Sequence, residues 1–192
     1  MSKKSQAKST MNSDSWCSPR IVADPLEQFF GGPVGTDPCS NPHSIIRACR
    51  ALHAAGLHLP WTRDEDPTTA YRNNPYSNTD PWITKAIVEL NKRELPLTEE
   101  VSLVMVATST KWWRRQCGAM PVLIPRDGKA PLELRPKRAI RLLFTGRLKF
   151  IGDKDSGARF DTVLGYWGSR VKAFDREFRS ITKWSAWGDG RK

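Results

Sequence analysis

The sequence has no apolar run long enough to cross a bilayer. Its longest, around residues 101–107, falls far short of the ~20 residues that a spanning helix needs, so no transmembrane helix is expected. Residues 1–15 hold Lys3, Lys4 and Lys8 but no apolar stretch behind them, which does not read as a secretory signal. There are four cysteines (Cys17, Cys39, Cys49 and Cys117) and three histidines, with no paired metal-ligand spacing among them. Neither a structural zinc nor a disulfide framework is expected, and a reducing cytoplasm fits this usage best. A glycine-rich phosphate fingerprint is missing too, which leaves a dinucleotide or P-loop site without support. No segment repeats.

What the chain does carry is length for one domain and a strong positive charge. Its 192 residues can bury a real core, and a composition 39% hydrophobic and 27% charged describes neither a disordered chain nor a coiled coil. Lysine and arginine number 31 against 20 acidic residues, a net charge of +11. The excess is uneven: residues 111–154 hold twelve basic residues against three acidic ones, whereas residues 16–110 hold eight against eleven. Such asymmetry fits a polyanion, nucleic acid above all, contacted by the second half beside a different task in the first. A basic solvated face that keeps the chain soluble is the plainer alternative.

Residues 1–15 are polar and aperiodic and read as a disordered basic tail. Ile21, Val22, Leu26, Phe29 and Phe30 share one side of a helical pattern, interrupted by Pro25 and stopped by Gly31-Gly32. Residues 33–36 read as a short buried strand. Asn41 suits an N-cap and Pro42 a first helical position, and Ile45, Ile46, Cys49 and Leu52 follow at helical spacing before Gly56, so a helix is predicted there. Residues 69–72 read as a strand. Asp80 and Pro81 then open a second amphipathic helix carrying Trp82, Ile83, Ala86, Ile87 and Leu90. The apolar, β-branched run at 101–107 is the central strand, and 109–118 start another helix. Residues 122–124, 140–144, 148–151 and 162–167 are short strands, 126–138 an exposed basic loop, 171–178 a short helix and 180–192 loose.

This alternation predicts an α/β fold whose sheet is parallel at least in its first half. Ligands of such sheets bind beyond the carboxyl ends of the strands, where the two most polar turns, 37–41 and 73–80, would both lie. Asp37 can accept hydrogen bonds from a ribose hydroxyl or an amino group, although aspartate also serves as an ordinary turn residue. In the second turn, Asn73 and a following backbone carbonyl can each accept one hydrogen of an aromatic amine. That aims the nitrogen lone pair at an electrophile, while Tyr76 stacks on the ring. By composition alone, an ordinary Asn-Pro turn with a surface tyrosine accounts for the same residues.

Taken together, Trp16-Cys17-Ser18-Pro19, Thr36-Asp37-Pro38-Cys39-Ser40 and Asn73-Asn74-Pro75-Tyr76-Ser77 followed by Pro81-Trp82 resemble the phage-type, Dam-like DNA adenine methyltransferases. The resemblance continues through Thr108-Ser109-Thr110-Lys111-Trp112-Trp113 and Phe144-Thr145-Gly146-Arg147-Leu148-Lys149-Phe150, and spans residues 16–167. The family's pattern is Trp-x-Thr-Pro, Asp-x-x-Ala, Asn-Pro-Pro-Tyr-Ser and a Gly-Arg-x-x-Phe strand. The resemblance implies a Rossmann-like fold, a three-layer sheet with helices on both faces, that binds S-adenosylmethionine and methylates the exocyclic amine of adenine in double-stranded DNA. Trp16, Ser18, Pro19, Asp37, Pro38 and Cys39 would then line the cofactor pocket, and Asn73, Asn74, Pro75 and Tyr76 would form the catalytic loop. Asn74 stands where the family has its first proline, Ser18 where it has threonine and Ser40 where it has alanine. The implied setting is phage or prophage DNA modification against restriction, in a bacterial host cytoplasm.

On this reading residues 16–178 are the methyltransferase domain, 118–139 a basic insertion that contacts DNA, and 179–192 a loose C-terminal tail. The candidate DNA contacts are Lys111, Arg114, Arg115, Arg126, Lys129, Arg135, Lys137, Arg138 and Arg147. A tolerated surface loop explains the insertion equally well. Two rivals remain: a DNA-binding relative weakened or silenced in turnover by the Asn74 departure, and a methyltransferase of RNA or of the cytosine amine. No metal and no membrane partner is expected.

Overall fold

A computed structural model describes residues 13–152 and 158–188 of the chain. The first helix, α1 (Arg20–Phe30), buries Val22, Ala23, Leu26 and Phe29 on one stripe. It runs through Pro25 without breaking. Gly31 ends it in the left-handed conformation (φ 73°), and its N–H donates to the Gln28 carbonyl, a position that only glycine adopts without strain. Strands β1 (Val34–Asp37), β2 (Ala48–Ala51), β3 (Thr69–Arg72) and β4 (Glu99–Met105) follow, with α2 (Thr79–Asn91) between the last two. After α3 (Lys111–Gln116) come β5 (Val122–Arg126), β6 (Lys129–Leu134), β7 (Ile140–Gly146), β8 (Thr162–Trp167), α4 (Val171–Glu177) and β9 (Trp184–Gly188).

Seven strands make one mixed sheet in the order β2-β1-β3-β4-β8-β7-β9. The first four are mutually parallel, and β8, β7 and β9 are each antiparallel to the preceding strand in that order. Alternation along the strands feeds two cores. Val101, Leu103, Leu143 and Leu164 meet Leu26 and Phe29 of α1 and Phe174 of α4 on one face. Val104, Leu142, Phe144 and Val163 meet Ile83 and Ile87 of α2 and Trp113 of α3 on the other. Each aliphatic or phenyl side chain withdrawn in this way contributes roughly 1.5–3 kcal/mol. Among the described residues, no helix is long and apolar enough to cross a membrane, and no group of His, Cys, Asp or Glu could hold a metal ion.

Several segments differ from their sequence reading. The helix predicted from Asn41 is a turn leading to the edge strand β2. The Asn41 carboxamide oxygen accepts from the His43 N–H, which makes an Asx turn, and residues 48–51 alternate half-buried and exposed while pairing with β1. The open edge of β1 outweighs a weak helical period. Helix α2 begins at Thr79, which puts Asp80 inside its first turn. Residues 126–138 contain most of a hairpin, turned at Asp127-Gly128, not a loop. The strand predicted at 148–151 is only an isolated antiparallel bridge between Cys17 and Ile151. Residues 184–188 are not loose, because they add β9 to the sheet beside β7. Of the predicted tail, Ser13–Ser15 form one 3-10 turn. Residues 1–12 and 189–192 lie outside the described residues.

Candidate active site

The chain leaves β1 towards β2 and then returns to place β3 on the other side of β1, so the winding direction reverses between β1 and β3. Loops leaving the carboxyl ends of strands diverge at such a reversal and open a crevice. Asp37 is the last residue of β1 and Asn73 the first after β3, which sets them on opposite sides of that opening.

The Asp37 side chain is 4% exposed, and its Oδ1 accepts the Cys39 N–H at 3.1 Å. Burial pushes its carboxyl up to about 7, against the pull of the Cys39 N–H, the charge of His53 and the hydroxyls of Ser44 and Ser40. Ser18 and Tyr71 share a buried hydroxyl–hydroxyl hydrogen bond, which fixes the start of α1 against β3.

A strap formed by residues 14–17 crosses the opening. The Asp14 carboxylate accepts from the Ser77 N–H at 3.0 Å. Trp16 stacks on Phe150, with ring centroids 5.7 Å apart, and its carbonyl accepts the Asn73 side-chain N–H at 3.1 Å. Cys17 and Ile151 exchange backbone hydrogen bonds at 3.1 and 2.9 Å. Strap and turns line a narrow, open cleft whose walls include Trp16, Ser18, Asp37, Cys39, Ser40, Asn41, Ile46 and Asn73.

Asn73 is clamped twice. A carbonyl can only face the nitrogen of a carboxamide, so the bond to Trp16 fixes which way the group points. The Tyr76 hydroxyl donates to its oxygen at 3.1 Å. One lone pair of that oxygen remains for a substrate N–H. The Tyr76 ring lies edge-on to Phe150 and Phe160, and burial holds its phenol well above the usual range, so it stays a donor.

The predicted cofactor residues divide. Trp16, Ser18, Asp37 and Cys39 line the cleft; Pro19 instead precedes α1, its carbonyl accepting from Val22 and Ala23, and Pro38 is buried beneath the turn. Of the loop residues, Asn73, Pro75 and Tyr76 are half-buried at the opening, whereas Asn74 is 2% exposed with its side chain turned into the protein. Sequence reasoning missed Asp14, Asn41, Ile46, Phe150 and Phe160. Phe150 stands in the Gly-Arg-x-x-Phe pattern, and Asn41 and Ile46 carry the signals of a helix; nothing local marks Asp14 or Phe160.

The basic candidates are scattered. Lys111, at the start of α3, and Arg147, just past β7, are exposed on the same sheet edge as Asn73, as are Lys149, Arg159 and Lys183. Arg114 is exposed on α3. Arg115 is occupied, its guanidinium paired with the Asp80 carboxylate. Arg126 and Lys129 flank the hairpin turn. Arg135, Lys137 and Arg138 lead into β7 at the far edge, where Arg135 donates to the Gly118 carbonyl and the other two border Leu97 and Trp167.

Over residues 4–184 the chain matches the protein family described as DNA N-6-adenine-methyltransferase (Dam). No curated protein and no solved structure matches it.

Proposed function

The chain belongs to the DNA N-6-adenine-methyltransferase (Dam) family, and on that premise we propose that it transfers a methyl group from S-adenosylmethionine to the exocyclic amine of adenine in duplex DNA, on a Rossmann-like three-layer scaffold. The observation that carries this reading is the double clamp on Asn73, which leaves one oriented acceptor at the mouth of the cleft.

The cleft's chemistry fits S-adenosylmethionine. Asp37 offers an acceptor for ribose hydroxyls or a neighbour for a cation, Ser18, Ser40 and Asn41 add polar contacts, and Trp16 and Ile46 add apolar wall. When bound, this cofactor supplies an electrophilic sulfonium methyl group. Everything else falls to the chain. The Asn73 oxygen and the Asn74 backbone carbonyl each accept a hydrogen bond from the amine, which localises the nitrogen lone pair; once methylated, the nitrogen sheds one proton to solvent. The Tyr76 ring, with Phe150 and Phe160 around it, receives the face of an extruded base. No covalent attachment to the protein is required; orientation supplies most of the rate.

Extruding a base costs a few kcal/mol of unstacking, which a grip on the phosphates offsets. Lys111, Arg147, Lys149, Arg159 and Lys183, exposed on the edge that bears the catalytic loop, supply that grip. The biological setting in this reading is modification of phage or prophage DNA in a bacterial host cytoplasm. Nucleoside mass spectrometry tests the proposal, on DNA from cells that lack their own adenine methylation and express either the wild type or Asn73→Ala. N6-methyladenine in the wild-type sample alone is the expected result. Its absence from both, with the protein folded and bound to DNA, would replace the proposal by a non-catalytic DNA-binding role.

A further inference from the structure

Beneath the catalytic loop lies a charge pair that the transfer reaction itself does not use. Arg72, the last residue of β3, is fully buried, and its Nε donates to Oε1 of Glu100 on β4 at 2.6 Å, with both side chains 0% exposed. One terminal nitrogen of the same guanidinium, Nη1, donates to the Asn74 carboxamide oxygen. The Asn74 amide nitrogen in turn donates to the Pro75 carbonyl at 3.0 Å and to the Thr79 hydroxyl at 3.2 Å, at the first residue of α2. Four side chains thus tie two central strands, the loop and the following helix together.

This arrangement is poorly explained as a source of stability. Arg72 Nη2 and Glu100 Oε2 are buried with no hydrogen-bond partner among the described residues. A half-satisfied ionic pair in the interior is as a rule no more stable than apolar side chains of the same size. Its geometry has a different consequence. A proline fixes its own backbone through its ring; Asn74 has no ring, yet its position is set from three directions by side-chain bonds. Among the described residues no group donates to the Asn74 backbone carbonyl, so in the methyltransferase reading it is open to the substrate amine.

We infer that Asn74, held by the buried Arg72–Glu100 pair, is a positioning residue that sets the Asn73 carboxamide and the Asn74 carbonyl for the amine, taking over the task that a proline ring performs in the Asn-Pro-Pro-Tyr pattern. The inference rests on the methyltransferase reading for its catalytic consequence, but the clamp itself is open to measurement without turnover.

The informative variant is the double substitution Arg72→Met with Glu100→Leu. It removes both charges at nearly constant volume, a gain that the orphaned Asn74 oxygen offsets, so the melting temperature should change little. Asn74 then loses its anchor, and kcat should fall by roughly a hundredfold while KM for DNA and cofactor affinity change by less than about twofold. Adding Asn74→Pro to that background should restore kcat to within about threefold of wild type, because a ring again fixes the loop. A merely structural role would lower the melting temperature and leave kcat intact, and wild-type kcat in the double variant would overturn the inference. Asn74→Ala serves as a second variant should the double one fail to fold. Amide exchange at Ser77 and Asn78 is read in it and in the wild type, with the β4 amides as the global reference; exchange faster there by about tenfold beyond any change in β4 is expected. Equal exchange would remove the clamp whether or not the wild type methylates. If the wild type makes no methyladenine but Asn74→Ala loosens the loop, the clamp stands and only the proposed function falls.

Discussion

Tyr76 holds Asn73 from within the same loop, its hydroxyl donating to the carboxamide oxygen at 3.1 Å while the Trp16 carbonyl holds the nitrogen. Tyr76→Phe keeps the ring and removes one of the two restraints. A neutral hydrogen bond of this kind contributes about 1 kcal/mol, so kcat should drop by roughly fivefold to tenfold with cofactor affinity unchanged. Single-turnover methylation of a short duplex, with Asn73→Ala as the inactive reference, measures it. A Tyr76→Phe enzyme as fast as wild type would show that Trp16 alone orients the amide.

Asp37 predicts the sign of a pH dependence. Its folded-state pKa of about 7 lies above the ordinary 3.8, so between those values the folded chain keeps a proton that the unfolded chain releases. Stability from this group is therefore greatest at low pH, falls as pH rises through that window with a slope approaching ~1.4 kcal/mol per unit, and levels off above it. Asp37→Asn should flatten that part of the profile and raise stability at pH 8, while losing cofactor binding. Denaturant titrations of both proteins across the window, compared pairwise, isolate the residue. A wild-type curve that rises relative to Asp37→Asn would contradict the assignment.

The two sheet edges separate the basic residues into groups with different expected effects. Replacing Lys111, Arg147 and Lys149 together by alanine should weaken DNA binding and reduce the slope of log affinity against log salt by up to about 0.9 per lost phosphate contact. The same treatment of Arg135, Lys137 and Arg138, at the far edge, should leave the slope nearly unchanged. Fluorescence anisotropy at several salt concentrations distinguishes them, and a reversed ranking would move the duplex to the other side of the sheet.

Gly56 supports the turn at residues 37–41 from below. A Cβ there would meet the Pro38 carbonyl oxygen at 2.0 Å and the Trp82 ring at 3.0 Å, so the turn that carries Asp37 and Cys39 must shift. Gly56→Ala should cost about 2 kcal/mol of stability and weaken cofactor binding more than DNA binding. Thermal unfolding with and without cofactor reads both effects. A protein of wild-type stability would show that residues 37–39 yield freely.

Much of this organisation is legible in the sequence. The β3 span, the apolar run of β4 and the short β8 announce themselves because each is buried along nearly its whole length. The two polar turns fall at the carboxyl ends of parallel strands, as that topology requires. Other parts are not legible, for identifiable reasons. Ile45, Ile46, Cys49 and Leu52 satisfy a helical period, and nothing local reveals that β1 has an open edge for residues 48–51 to fill. Asp127-Gly128 is a good hairpin turn, but Pro125 and Pro131 hide the strands on either side of it. Trp184 and its neighbours make a strand only because β7 presents its edge. Asn74 reads only as a departure from the family's proline; its anchor, Arg72, is held in turn by Glu100, which lies on a different strand and carries no local signal.

The strap over the cleft also bears on how the molecule comes together. Its bonds join positions far apart in the chain: Asn73 lies 57 residues beyond Trp16, and Ser77 lies 63 beyond Asp14. Closing loops of that length repays its entropy only once the strands that carry the far partners are paired. The sheet can therefore assemble first and the strap dock last. A folding chain would own its hydrophobic cores before it owns an aligned acceptor, and methylation would switch on as the final event of folding.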